Sequence, residues 1–226
     1  AVAAGSTRFV AVATDKVITS TDGSTWAPVG SPPAGSWSAV GYTGTQFVAV
    51  ATAGANRVMT ADDGTAWTQR TAATVDSWTG VAGGSSLVVA VGTNSVMTSP
   101  DGITWTDRAV AATTAWAGIG HGNGVFVAVS GVAARPVMTS PDGVTWTARS
   151  APSGSWRSVA YGNGTYVVVG SWGTVMTSPD GNTWTARTPA AANQWQSVTF
   201  GNGLFVAVAN SGTSRVMTSP GGVTWT

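Results

Sequence analysis

A chain without glutamate or cysteine, and with a single histidine, has few ways to do chemistry. The absence of cysteine removes both disulfides and thiolate metal sites, and one histidine cannot build a histidine-rich metal site. Nine aspartates remain as carboxylates. Glycoside hydrolysis needs two carboxyl groups about 5–9.5 Å apart. Five of the aspartates, Asp22, Asp63, Asp101, Asp142 and Asp180, recur at one place in a repeated turn, which is a structural pattern. The other four, Asp15, Asp62, Asp76 and Asp107, fall on expected loops or outer strands. Only Asp15 and Asp76 sit in connections expected to open on a common face. A Ser-His-Asp triad would have to use His121, which stands just before Gly122-Asn123-Gly124 with no Gly-x-Ser-x-Gly elbow near it. The expectation is a protein with no catalytic residues, no metal and no cofactor.

The aromatic residues offer more. Five tryptophans, Trp37, Trp78, Trp116, Trp156 and Trp195, each stand at the start of a repeat, and Trp172 stands in a loop with no counterpart elsewhere. A flat aromatic ring gives an apolar face to the C–H side of a sugar ring or to another aromatic at little entropic cost. Arg57, Arg135 and Arg215 lie near the ends of three longer loops, and Arg70, Arg108, Arg149 and Arg187 close the last strand of four repeats. Arginine donates to hydroxyls and carboxylates in a planar fork. Together these residues suggest shallow ligand sites around a rim, with Trp172, the five opening tryptophans and the three loop arginines as the binding set. The alternative is that the tryptophans plug spaces between sheets and the arginines keep a nearly uncharged surface soluble.

The elements that would position these residues follow from a repeat. An aromatic residue or leucine before valines and alanines falls at Phe9, Phe47, Leu87, Phe126, Tyr166 and Phe205. A second anchor starts at Val17, Val58, Val96, Val137, Val175 and Val216, and a third ends at Trp26, Trp67, Trp105, Trp146, Trp184 and Trp225, with spacings of 38 to 41 residues. In the clearest copy, Ser158 to Tyr161, Tyr166 to Gly170, Val175 to Ser178 and Thr183 to Arg187 read as four strands. Asn163-Gly164 suits a tight hairpin turn, and Pro179-Asp180-Gly181 supplies the backbone angles of a second turn. A four-stranded sheet of this size cannot bury its faces alone, so successive sheets must stack. The period and strand count predict an all-β chain, a six-bladed β-propeller with four antiparallel strands per blade, with a β-solenoid as the alternative. The strands are too short for a membrane barrel, which needs about 9–11 residues per strand. The whole chain, 1–226, reads as one propeller domain, with blades at about 1–36, 37–77, 78–115, 116–155, 156–194 and 195–226. It begins on an inner strand and ends on an outer one, so no strand is left to staple the last blade to the first.

The loops between second and third strands carry a further signal. The residues between the valine closing strand two and the valine opening strand three number 4, 7, 4, 7, 5 and 7. The long loops sit in blades two, four and six and hold Arg57, Arg135 and Arg215. This implies either a duplicated two-blade unit or three equivalent protrusions that would match a threefold partner. Charged residues are only 8% of the chain and the net charge is +1, against a usual charged fraction of about a quarter. That balance excludes a nucleic-acid footprint, and no apolar run is long enough for a membrane-inserted helix.

The turn Ser-Pro-Asp-Gly-x-Thr-Trp, present at Ser99 to Trp105, Ser140 to Trp146 and Ser178 to Trp184 and less perfectly at Ser20 to Trp26, resembles the Asp-box (BNR) repeat of sialidase-like propellers. It is one residue shorter between Asp and Gly. Blade two departs at Ala61 and Ala66, and blade six has Gly221 in place of the aspartate. The resemblance implies that these aspartates shape a turn away from any active site. Sialidase chemistry itself requires a tyrosine activated by glutamate, and the chain has no glutamate. A weaker likeness of style is to repeat propellers of bacterial surface proteins and phage tails. The expected function is a recognition module, binding a glycan or a surface receptor, at an extracellular, cell-surface or virion location. A structural or protein-interaction propeller among neighbouring subunits is the alternative, and a glycoside hydrolase the second.

Overall fold

Each repeat folds as its turns dictate. In the computed structural model, which describes residues 1–132 and 136–226, blade five runs Trp156–Gly162, Thr165–Gly170, Thr174–Ser178 and Thr185–Arg187 as a four-stranded antiparallel meander. The first hairpin turns on Asn163 and Gly164, with φ of 46° and 73°. Asn123-Gly124 and Asn202-Gly203 do the same in blades four and six, as the Asn-Gly pair leads one to expect. The second strand is apolar throughout and buried along its length, apart from the partly exposed Thr165. The fourth strand starts two residues later than the sequence suggests, because the backbone N–H of Thr183 still donates to Asp180 inside the turn.

The chain falls into two compact units, Ala1–Ala109 and Val110–Thr226. The first holds blades one to three, all four-stranded. The second holds blades four and five, four-stranded, and blade six, three-stranded. Blade six thus departs from the expected four strands. Thr226 exchanges backbone hydrogen bonds with Thr218 at 2.8 and 3.1 Å, which starts the fourth strand at the last residue of the sequence.

Stacking of neighbouring blades makes the core, and the same side chains recur. In the first unit, Val10, Val12 and Val17 of blade one cluster with Trp37, Phe47 and Met59 of blade two. Val48, Val50 and Val58 cluster with Trp78, Val88 and Met97 of blade three. In the second unit, Val127, Val129 and Val137 meet Trp156, Tyr166, Met176 and Trp184, and Val167, Val169 and Val175 meet Trp195, Phe205, Met217 and Trp225. Each fully buried valine contributes about 1.5–3 kcal/mol of transfer free energy, so these clusters dominate what holds one blade to the next.

The third-to-fourth-strand turn is closed by hydrogen bonds. Asp180 Oδ1 accepts from the backbone N–H of Asn182 at 2.8 Å and of Thr183 at 3.0 Å, and Ser178 Oγ donates to it at 3.1 Å. The indole N–H of Trp184 donates to the carbonyl of Gly181 at 2.9 Å. Asp22, Asp101 and Asp142 repeat this pattern. These N–H donors hold the aspartate carboxyls below their ordinary value, Asp142 down to about 2.

Candidate functional site

At the opposite end of blade five the backbone does something its residues do not favour. The loop between second and third strands is Ser171-Trp172-Gly173, and Trp172 and Gly173 have φ of 65° and 67°. That is the left-handed pair that Asn-Gly supplies in the first hairpins. A non-glycine residue there costs about 1–2 kcal/mol, and a bulky one is a genuine outlier. Surrounding contacts impose the geometry. Gly173 N–H donates to the carbonyl of Asn193 at 2.8 Å, and Ser171 N–H to that of Ser155 at 2.9 Å. Thr174 Oγ1 donates to the carbonyl of Ser171 at 2.9 Å. A Cβ on residue 173 would stand 2.6 Å from the Ala192 backbone, so only glycine fits. The loop is pinned at both ends, and the indole of Trp172 is left 77% exposed.

Beside it lies an open hollow of about 600 Å³, walled by Trp172, Arg157, Gln194, Gln196, Asn210 and the serines 155 and 171. Arg157 and Gln196 reach it through a bulge. In both blades the pairing of first and second strands slips just after the opening tryptophan, between Trp156 and Ser158 and between Trp195 and Ser197. The extra residue is re-aimed there. Arg157 Nε donates to Ser171 Oγ at 3.3 Å. Gln194 Oε1 accepts from Trp172 N–H at 3.4 Å, and Gln196 Nε2 donates to the carbonyl of Gln194 at 3.2 Å. The result is one aromatic plate ringed by planar amide and guanidinium groups, which can stack on a flat apolar face and exchange hydrogen bonds with hydroxyls or amides around it.

The other expected site residues lie elsewhere. Trp37, Trp78, Trp116, Trp156 and Trp195 are at most 3% exposed. The expectation that they form an aromatic rim is corrected: the indoles of Trp37, Trp78, Trp156 and Trp195 pack in clusters between neighbouring blades, that of Trp116 is likewise buried, and none offers a ring face to a ligand. Three of them also anchor the incoming connection, with the indole N–H donating to the carbonyl four residues upstream, at Pro33, Pro152 and Ala191. Arg57 is turned into its own loop, where Nε donates to the carbonyl of Gly54 at 3.4 Å and Nη1 to that of Asp76. Arg215 is exposed but makes the same brace, Nε to the carbonyl of Gly212 at 3.0 Å. Both brace long loops rather than line the hollow; Arg135 lies outside the described residues. The strand-closing arginines are likewise committed, for Arg70, Arg108, Arg149 and Arg187 each donate Nε to a third-strand threonine at 2.8–3.0 Å.

The carboxylate pair conceived from the sequence is tied to backbone. Asp15 accepts from Gly35 N–H at 2.8 Å, while Asp76 accepts from Ser77 N–H at 2.7 Å and Asn94 N–H at 3.0 Å. His121 lies on the strand Trp116–Gly122 rather than in the turn, half-buried against Phe126 with ring centroids 4.4 Å apart. Burial lowers its pKa, so the imidazole is neutral near pH 7. Sequence reasoning found Trp172 and missed Arg157, Gln194, Gln196 and Asn210. The available signal was the position after each opening tryptophan, which reads Ser38, Thr79, Ala117, Arg157 and Gln196 and is long and polar only in blades five and six.

No protein-family model matches the sequence, and no curated protein sequence matches it. Solved structures do. Virginiamycin B lyase from Staphylococcus aureus superposes with a TM-score of 0.85 at 9% identity, over 100% of this chain and 82% of that one. YCF48 bound to D1 peptide matches with a TM-score of 0.57 at 18% identity, over 80% and 62% of the two chains. A chain of a nidogen/laminin complex matches with a TM-score of 0.68 at 10% identity, over 92% and 87%. At such identities the likeness speaks for architecture alone, and that architecture is the six-bladed β-propeller.

Proposed function

We propose that the chain is a non-enzymatic recognition module whose ligand site is the Trp172 hollow of blade five, and that the ligand it fits best is a carbohydrate. One observation carries this reading: a tryptophan held exposed, in a backbone conformation that disfavours it, above a ring of amide and guanidinium groups. Strain of this kind gathers at functional sites, where surrounding contacts over-determine it. An aromatic plate with a few convergent polar groups is what a sugar ring needs, with its C–H face against the indole and its hydroxyls among Arg157, Gln194, Gln196 and Asn210. The non-enzymatic part draws support from the carboxylates, since Asp15 and Asp76 are engaged with backbone N–H groups and the turn aspartates with their own turns. We read those turns as shortened Asp boxes used for folding, and the module as one displayed at a cell surface or on a virion.

A second reading is favoured by the comparisons: the same hollow takes a segment of a protein partner or receptor. Two of the structural neighbours are described in complexes with a peptide or a protein, and amide-rich walls suit a peptide backbone as well as a sugar. A glycan array and a peptide array probed with the purified protein separate the two. Hits are followed in solution through the part of the tryptophan fluorescence that Trp172→Asn removes, since the emission of an exposed indole shifts when it leaves water. The carbohydrate reading expects a glycan hit that disappears in Trp172→Asn and weakens at least tenfold in Arg157→Ala. A blank glycan array from folded protein, with a peptide hit lost in the same variants, overturns it in favour of the second. A hit that survives both substitutions removes this hollow as the site.

A further inference from the structure

The wall of the Trp172 hollow is unequal in charge. Arg157 is its one ionised side chain, and no carboxylate lines it. A guanidinium carries five N–H donors and no acceptor. The donor on Nε goes to Ser171 Oγ at 3.3 Å, while the two Nη groups bond no described residue. Elsewhere the chain spends its arginines: the strand-closing ones hold threonines, and Arg57 and Arg215 hold backbone carbonyls. Nor does the repeat call for a cation after the opening tryptophan, where the other blades carry Ser38, Thr79, Ala117 and Gln196.

The neighbouring amides add donors. Gln194 Oε1 is taken by Trp172 N–H, which leaves Nε2 free to donate. Asn210 is held by its backbone, N–H to the carbonyl of Gln194 at 3.2 Å, and its side chain bonds no described residue. The corresponding loop of blade one reverses the sign. Asp15 takes the left-handed position there, with φ of 54°, and lines a hollow of about 440 Å³ with Thr14, Ser36 and Gln69 and no arginine or lysine in its wall. The positive charge therefore belongs to the Trp172 hollow and not to this place in every blade.

We propose that this hollow selects acidic sugars: a hexuronic acid residue lays its C–H face on Trp172 and presents its carboxylate to the Nη groups of Arg157. The inference rests on the carbohydrate reading of the site and narrows it. A guanidinium fork meets both oxygens of a carboxylate at once, whereas a neutral hydroxyl accepts from one arm only. Because Arg157 is exposed, salt screens the pair, and the preference for acid should depend on ionic strength.

Matched ligands test it. Oligomers of galacturonic, glucuronic and mannuronic acid, each as the free acid and as its methyl ester, are titrated into the whole chain at neutral pH. The ester keeps the ring and removes the charge. At least one acid is expected to bind about tenfold more tightly than its ester, with the gap narrowing as sodium chloride is raised. In Arg157→Gln, checked for folding by circular dichroism, the ratio of the two affinities should fall to near one. Arg157→Lys, which keeps the charge without the fork, should retain part of it. Both forms should be lost in Trp172→Asn. Acid and ester bound equally, and both lost in Trp172→Asn, overturn the inference and leave the carbohydrate reading standing. A preference for acid that survives Arg157→Gln, or that salt does not reduce, overturns it in the same way. Folded protein that binds none of the pairs also overturns it. Sugar binding that Trp172→Asn leaves intact removes the carbohydrate reading of this hollow, and the inference with it.

Discussion

The two ends of blade five obey opposite rules. At one end, Ser178-Pro179-Asp180-Gly181 closes a turn in which carboxylate and hydroxyl are spent on neighbouring N–H groups, and the same turn recurs around the chain with the same bonds. At the other end, Ser171-Trp172-Gly173 forces a tryptophan into a conformation suited to asparagine or glycine and leaves its ring in water. The turn end is locally consistent, each residue being the one its backbone angles want. The loop end is not, and foldable sequences break local rules mainly where something other than folding is served. Recurrence within the repeat thus marks structure, and departure from it marks the candidate site.

The sharpest break of that contrast sets one tryptophan against another. Trp156 recurs, is 1% exposed and sits in a junction cluster. Trp156→Ala should cost about 3–5 kcal/mol, the loss for a buried aromatic that leaves a cavity, measured by chemical denaturation with the transition followed by circular dichroism. Trp172→Ala should move the same midpoint by no more than about 0.5 kcal/mol. Equal losses at the two positions would place Trp172 in the core and dissolve the distinction.

The fold was legible because its signals are local and repeated. Asn-Gly and Pro-Asp-Gly name their turns, apolar runs name the buried second strands, and a fixed period names the stacked sheets. The site was half legible. Trp172 could be found because it has no counterpart in the other repeats, but its exposure could not be told from that of Trp156 by residue type. Arg157 and Gln196 were hidden by the strand bulge, since an ideal alternation does not say where the extra residue points. The arginines misled for a related reason. Four of them recur at a strand end that looks like a rim, and only the structure shows each Nε held by a threonine across the ladder.

A smaller effect sharpens the turn end. Blade six keeps the Ser219 and Trp225 bonds of the turn but has Gly221 where other blades have aspartate. Open space surrounds a Cβ built there, so Gly221→Asp should restore the missing acceptor and stabilise by about 0.5–1 kcal/mol. Because the recurring carboxyls are held below their ordinary value, the folded chain binds fewer protons than the unfolded one in mild acid. Their contribution is complete above about pH 4 and is lost as the pH falls through the folded values, about 2 for Asp142. The gain in Gly221→Asp should follow the same course, present in melting curves at neutral pH and shrinking as pH falls below 4. A gain that persists undiminished at pH 2 would mean that the turn benefits from the altered backbone alone.

The smallest change in stability should come at the residue most tied to function. Trp172→Asn places at the left-handed position a side chain that tolerates it, as Asn123, Asn163 and Asn202 already do. It removes an indole that contributes little burial. The strain released is about 1 kcal/mol, and a few tenths are returned through lost contact, so the variant should melt at or slightly above the wild-type temperature. Its binding, by array and by titration, should be gone. This pairing of unchanged or raised stability with lost recognition is the trade expected where a strained residue is kept for a ligand. If the variant instead unfolds more readily, the exposed indole is holding the loop in place, and the irregularity at that end of blade five belongs to folding after all.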